Sequence, residues 1–118
     1  MRGLPMFKHA TFPIAAVMLL AGCASNVQNP VDRITYRDEP LVRDVEDGMT
    51  QERVLAIGGK PSNASARTVV PGLCHDYILS HEGKRQPYYV SFDASGRVDG
   101  QGFLTCRQLE ENQRNRRP

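Results

Sequence analysis

The stretch DVEDGMTQERVLAIGGKPS, residues 44–62, decides how the rest of the chain is read. Thr50 is placed to cap a helix, with Gln51 and Glu52 in its first turn. Val54, Leu55 and Ile57 supply an expected buried side, and Arg53 an expected wet one. Gly58 and Gly59 end the helix, and Pro61 prevents its continuation. Immediately upstream, Leu41, Val42 and Val45 are spaced like one face of another short helix, which Gly48 stops. Residues 42–59 therefore read as two short helices joined by a tight turn. Neither is long enough to persist alone, so each needs a surface to lean on.

Downstream segments provide that surface as a sheet. Residues 74–80 (CHDYILS) are rich in strand formers, and Gly83 breaks the run. Tyr88, Val90 and Phe92 alternate onto one face of a second strand. Asp93 to Gly96 make a turn, and residues 97–106, with Val98, Phe103 and Leu104, form a third strand. Short links make these neighbours antiparallel. A weaker segment, residues 66–70, is a candidate extra edge strand before the Pro71-Gly72 turn. The expected fold is α+β: two short helices packed on a three-stranded antiparallel sheet.

Length and composition bound the function. The chain has 118 residues, 40% hydrophobic and 24% charged, which suits one small globular domain and excludes a two-domain enzyme. Its first 22 residues read as an address. Arg2 and Lys8 are basic, and Thr11 to Leu20 is mostly apolar but interrupted by Pro13. That run is half the roughly 20 residues needed to span a bilayer. It ends in Leu20-Ala21-Gly22-Cys23, which resembles the bacterial lipobox. The resemblance implies that Cys23 is joined to diacylglycerol and becomes the mature amino terminus, with palmitate-type acyl chains as the anchor. Each buried methylene contributes about 0.8 kcal/mol, so two or three chains hold where one would not. Ala24 and Ser25 follow, where an aspartate often marks retention in the inner membrane; the implied location is the outer membrane, facing the periplasm.

The formal charge of +2 belongs to the signal, because removing Arg2 and Lys8 leaves 13 basic against 13 acidic side chains. Nucleic acid is therefore not an expected partner. Residues 24–40 are polar, carry Pro30 and Pro40 and keep no period, and are read as a flexible tether from Cys23. Val31, Ile34 and Tyr36 are the residues within it able to add a strand or a partner contact. Residues 107–118 read as a polar, disordered tail.

The pattern of helix, Gly-Met, hydroxyl cap, second helix and Gly-x-Pro over residues 44–62 resembles the SmpA/OmlA (BamE-like) family. The resemblance continues through Cys74, Tyr77-Ile78-Leu79, residues 88–92 and Gly102-Phe103-Leu104-Thr105-Cys106, where it favours the osmotically inducible lipoproteins of that family. It covers residues 41–106 and implies two helices on a three-stranded antiparallel sheet. It also implies a non-catalytic role in envelope integrity, in osmotic stress, with an envelope protein or cell-wall component as partner. An accessory place in the β-barrel assembly machinery, and an inhibitor or binder of a periplasmic enzyme, are the alternatives.

With Cys23 lipidated, Cys74 and Cys106 remain, and an even pair in an oxidising compartment reads as a disulfide. In a simple meander, however, the start of strand one and the end of strand three lie at opposite ends. Either Gly100 and Gly102 let the chain fold back, or the bond joins two molecules.

No catalytic, cofactor or metal residues emerge. His75 and His81 lack a third ligand at metal spacing. Cys74 and His75 point to opposite faces of a strand. Asp76 and Asp93 show no pairing for acid-base work. Gly58-Gly59-Lys60 follows a helix and is no phosphate loop. Asn63-Ala64-Ser65 matches a eukaryotic glycosylation triplet, without meaning in a bacterial lipoprotein. Tyr77, Tyr88 and Tyr89 are expected in the core or at half-buried sheet positions.

Overall fold

The computed structural model describes residues 30–116. The proposed signal, Cys23 and the first part of the tether lie outside the described residues. Four helices and four strands follow in the order α1 (Pro30–Thr35), α2 (Pro40–Asp44), α3 (Gln51–Gly58), β1 (Asn63–Ala66), β2 (Leu73–His81), β3 (Lys84–Phe92), β4 (Val98–Gly102) and α4 (Cys106–Arg116). The strands form one antiparallel sheet in the order β1-β2-β3-β4.

The α+β class is that expected, but the sheet has a fourth strand. β1 pairs Asn63 with Asp76 through to Ala66 with Leu73, so the extra edge lies earlier than residues 66–70. The sequence Asn-Ala-Ser-Ala has no β-branched or aromatic residue, and it is the partner strand that holds it extended.

The capped helix forms as its sequence dictates. The Thr50 hydroxyl accepts from the Arg53 amide at 3.2 Å, and Gly59, at φ 79°, donates its N–H to the Leu55 carbonyl at 2.8 Å. Val54 is fully buried, whereas Leu55, expected inside, is 40% exposed. The upstream helix is only five residues long, and Val45 follows it as extended but buried chain.

One face of the sheet carries Tyr77, Leu79, Tyr88, Val90 and Phe92 and meets Leu41, Val45 and Val54 of the helical layer. Tyr36 belongs to this core at 3% exposure. The expected tether over residues 24–40 is thus corrected from Pro30 onward: that part is α1 and a buried anchor. A phenol ring against Phe103 and the His81 ring outweighs the polar character of its neighbours.

The other face carries a second, smaller core of Cys74, Tyr89, Cys106 and Leu109 with Leu104 beside it. The segment expected to be a disordered tail from Arg107 is helical to Arg116 and covers this face, giving the sheet helices on both sides. Thr105 and Gln108 cap it reciprocally. Thr105 Oγ1 accepts from the Gln108 amide and Gln108 Oε1 from the Thr105 amide, each at 3.0 Å.

Candidate functional site

A disulfide joins Cys74, 1% exposed, to Cys106, 3% exposed, within one chain. β4 is short and ends at Gly102, level with Tyr89 and hence Asp76. Residues 103–105 then turn back across β3. The Cys106 amide donates to Asp76 Oδ1 at 2.8 Å, which fixes the first turn of α4 over β2. Further along α4, Glu110 accepts from the Thr68 amide at 2.7 Å and from the Thr68 hydroxyl. Burial of the Glu110 carboxyl, which alone would raise its pKa, is outweighed by these bonds and Arg67, so the pKa is lowered.

Beside this lies a polar network. The side chain of Arg67 is 2% exposed; its Nη1 donates to both Asp99 oxygens at 3.0 and 2.8 Å and to the Phe92 carbonyl at 3.2 Å. Ser91 donates to Asp99 Oδ1 at 2.7 Å. The register shift between Ser91 and Phe92 is what turns Asp99 to this face. This ion pair and α4 lock the loop between β1 and β2 against the sheet.

The residues singled out for chemistry are not brought together. His75 is buried on the helical face, with its ring 4.8 Å from that of Phe92 and its Nδ1 unpartnered; burial lowers its pKa. His81 lies at the hairpin end, 47% exposed, and meets Glu82 at 3.6 Å. Asp93 Oδ1 accepts from the Ser95 hydroxyl and amide and the Arg97 amide, which lower its pKa and shape the turn. Tyr77, Tyr88 and Tyr89 are all buried. Burial pushes the Tyr88 phenol up to about 12, and its hydroxyl donates to Gln101 Oε1 at 2.7 Å. No group of three or more potential metal ligands occurs among the described residues. None of their helices is long and apolar enough to cross a membrane.

Openings among the described residues include an apolar slot and a polar groove. A slot of about 140 Å³ lies where α2 and the end of α3 meet β2, lined by Pro40, Leu41, Ile57, Tyr77, Ile78 and Leu79, with Glu39 as its charged member. A larger, more polar groove of about 370 Å³ lies between the end of α1 and the β2–β3 turn, bordered by Ile34, Arg37, Asp38, His81 and Lys84. Nothing in the sequence pointed to either, because each is assembled from segments far apart in the chain. The T-x-x-Q box of residues 105–108 was the one available signal for α4, and with it for the covered second face.

Residues 34–102, from within α1 to the last residue of β4, match the family model described as the outer membrane protein assembly factor BamE domain. The chain belongs to the BamE-domain family. It is also 34% identical over 97 residues to the osmotically inducible putative lipoprotein OsmE of Escherichia coli (strain K12), covering 81% of this chain and 83% of that protein; the O157:H7 protein matches to the same extent. A crystal structure described as a putative osmotically inducible lipoprotein OsmE is similar at 57% identity and a TM-score of 0.72, over 76% of this chain and 95% of that one. Within the BamE-domain match lie α2, α3 and all four strands. The second cysteine and α4 fall beyond it.

Proposed function

We propose that this BamE-domain protein is an outer-membrane lipoprotein, acylated on Cys23 and facing the periplasm, that supports envelope integrity in osmotic stress. The observation that carries the reading is the similarity to OsmE along most of a chain whose amino terminus reads Leu20-Ala21-Gly22-Cys23. The acyl groups fix its position, and the short chain from Cys23 to α1 keeps the domain close to the bilayer. The domain then works by contact with another envelope component rather than by turnover. Neither the family description nor those of the relatives names a catalytic activity.

Replacing Cys23 with serine tests the anchor: the protein should move from the membrane to the soluble periplasmic fraction, and continued retention overturns the anchor. Crosslinking in intact cells at high and normal salt tests the role. A partner gained or strengthened at high salt supports it, and an unchanged contact set counts against it. The family description favours one second reading, an accessory place in the β-barrel assembly machinery. That reading requires stable, stoichiometric co-purification with the barrel-insertion complex at either salt.

A further inference from the structure

β1 covers only half of β2. Its pairing stops at Asn63 with Asp76, whereas β2 continues to His81 and stays paired with β3 throughout. Glu82 and Gly83 form a two-residue turn, which makes His81 and Lys84 the closing hydrogen-bonded pair. Hydrogen-bonded and non-bonded pairs alternate along an antiparallel ladder. The backbone groups of Leu79 and Tyr77 therefore point to β3, and those of Ile78 and Ser80 point outward. Asp76 obeys the same parity, since its carbonyl accepts from the Ser62 amide at 2.8 Å on the β1 side. Pro87, opposite Ile78, has no N–H to offer, and at a non-bonded position of this pair it needs none.

The open edge is unguarded. Residues 77–81, YILSH, contain no lysine, proline or acidic residue, which are the usual means of blunting an edge. Ile78 is 43% exposed on the face of the sheet that carries α4, and the apolar slot opens beside the same edge on the other face. Two outward donors, two outward acceptors, a side-chain slot and an exposed isoleucine are what an added strand would use.

We infer that the β2 edge from Tyr77 to His81 is a docking site for an extended peptide segment of a partner protein, which adds antiparallel to β2 in line with β1. One aliphatic side chain of that segment enters the slot between Leu41, Ile57 and Leu79. The next residue covers Ile78 from the opposite face, because successive strand residues alternate. Glu39 at the slot favours a cationic side chain two residues from the aliphatic one. A second copy of this chain fits less well. A two-fold axis would set Leu79 against its own counterpart, and Leu79 is 4% exposed, already committed to its own core, so the slot would receive nothing. The inference goes beyond the proposed envelope role and holds whether or not Cys23 carries lipid.

The test uses the full chain in detergent and the synthetic peptide acetyl-Lys-Thr-Leu-Val-Thr-Thr-amide, read by amide hydrogen exchange and methyl NMR. Added at millimolar concentration, the peptide should slow exchange of the Ile78 and Ser80 amides roughly tenfold and shift the Leu41 and Ile57 methyl signals. The same peptide with the nitrogens of the valine and of the threonine before the leucine methylated, the two N–H groups that would face Ile78 and Ser80, should do neither. Ser80→Pro, which removes an outward N–H, should abolish the protection while leaving the melting temperature nearly unchanged. If Ser80→Pro fails to fold, the methylated peptide alone decides. Unchanged exchange at Ile78 and Ser80, equal protection by the methylated peptide, or protection that rises with protein concentration in the absence of peptide would each overturn the inference, the last by assigning the edge to a second copy.

Discussion

Cys74, the second residue of β2, and Cys106, the first residue of α4, have Cα atoms 5.9 Å apart although two strands separate them in the chain. The approach depends on β4 being too short to carry the chain to the far end of the sheet. After Gly102 the chain crosses back over β3, and the Asp76 carboxylate receives the Cys106 amide on arrival. The bond then holds a helix that contributes only Cys106 and Leu109 to the buried surface. Closing a loop of this length is worth about 3.7 kcal/mol on the chain-entropy estimate. Reduction, or Cys106→Ser, should therefore lower the melting temperature by at least several degrees, and by roughly 15–30 °C if the full estimate is realised. Circular dichroism melts with and without reductant check this; identical curves would mean the staple does not stabilise the fold.

Gly58 illustrates a conflict between helix propensity and packing. Alanine in a helix interior is normally favoured over glycine by about 1 kcal/mol. Here the side chain of Leu41, from its Cγ outward, occupies the position a Cβ on Gly58 would take. Leu41 is 3% exposed and part of the core, so it can make room only by turning into the slot it lines or by moving α2. Overpacking of this kind costs about 1–3 kcal/mol. Gly58→Ala should be net destabilising in urea unfolding, and it should disturb the slot between α2 and β2. A gain in stability would show that Leu41 or α2 shifts freely.

Glu82 is the one residue other than glycine with a positive φ among those described, at 49°, and it precedes Gly83 at 82°. Both positions of the turn are left-handed, a conformation for which Asn-Gly is strongly preferred and which costs most side chains about 1–2 kcal/mol. The side chain of Glu82 is 85% exposed, and its contact with His81 is correspondingly weak. Glu82→Asn should raise the urea midpoint, by up to about 1 kcal/mol in stability, with an unchanged slope. A loss of stability would mean that Glu82 makes a contribution its exposure hides.

What could be read in advance follows from where the stabilising information sits. α3 was legible because Thr50, Gly59 and Pro61 mark its ends locally, and β2 and β3 because tyrosine, isoleucine, valine and phenylalanine alternate or cluster between turn residues. α1, β1 and α4 were not, since each is short or polar and is held by something distant. Tyr36 reaches the ring of Phe103, Asn63 to Ala66 are held by β2, and α4 is held by Cys74, Asp76 and Thr68. The third layer was therefore hidden while the class of fold was not. The apolar slot and the open edge of β2 lie at the same distance from local sequence. They exist because β1 ends at Asn63 while β2 does not.

His75 ties the fold to proton concentration. It is 5% exposed, it packs edge-on against Phe92 at 4.8 Å and Tyr77 at 6.3 Å, and its Nδ1 has no partner. Burial disfavours the imidazolium, so its folded pKa lies below the ordinary 6.5. The unfolded chain then binds more protons than the folded one in the window beneath 6.5, and stability falls as pH falls through it. The contribution is fully present above pH 6.5 and is lost as the pH drops through the folded pKa. Asp93 and Glu110, whose pKa values are lowered by their hydrogen bonds, begin to cost stability only nearer the ordinary carboxylate range. Thermal melts from pH 7.5 to 5.0 should show a decline in wild type that His75→Phe, which keeps a flat ring against Phe92, flattens over the same interval. A decline of equal slope in both proteins would place the sensitivity elsewhere.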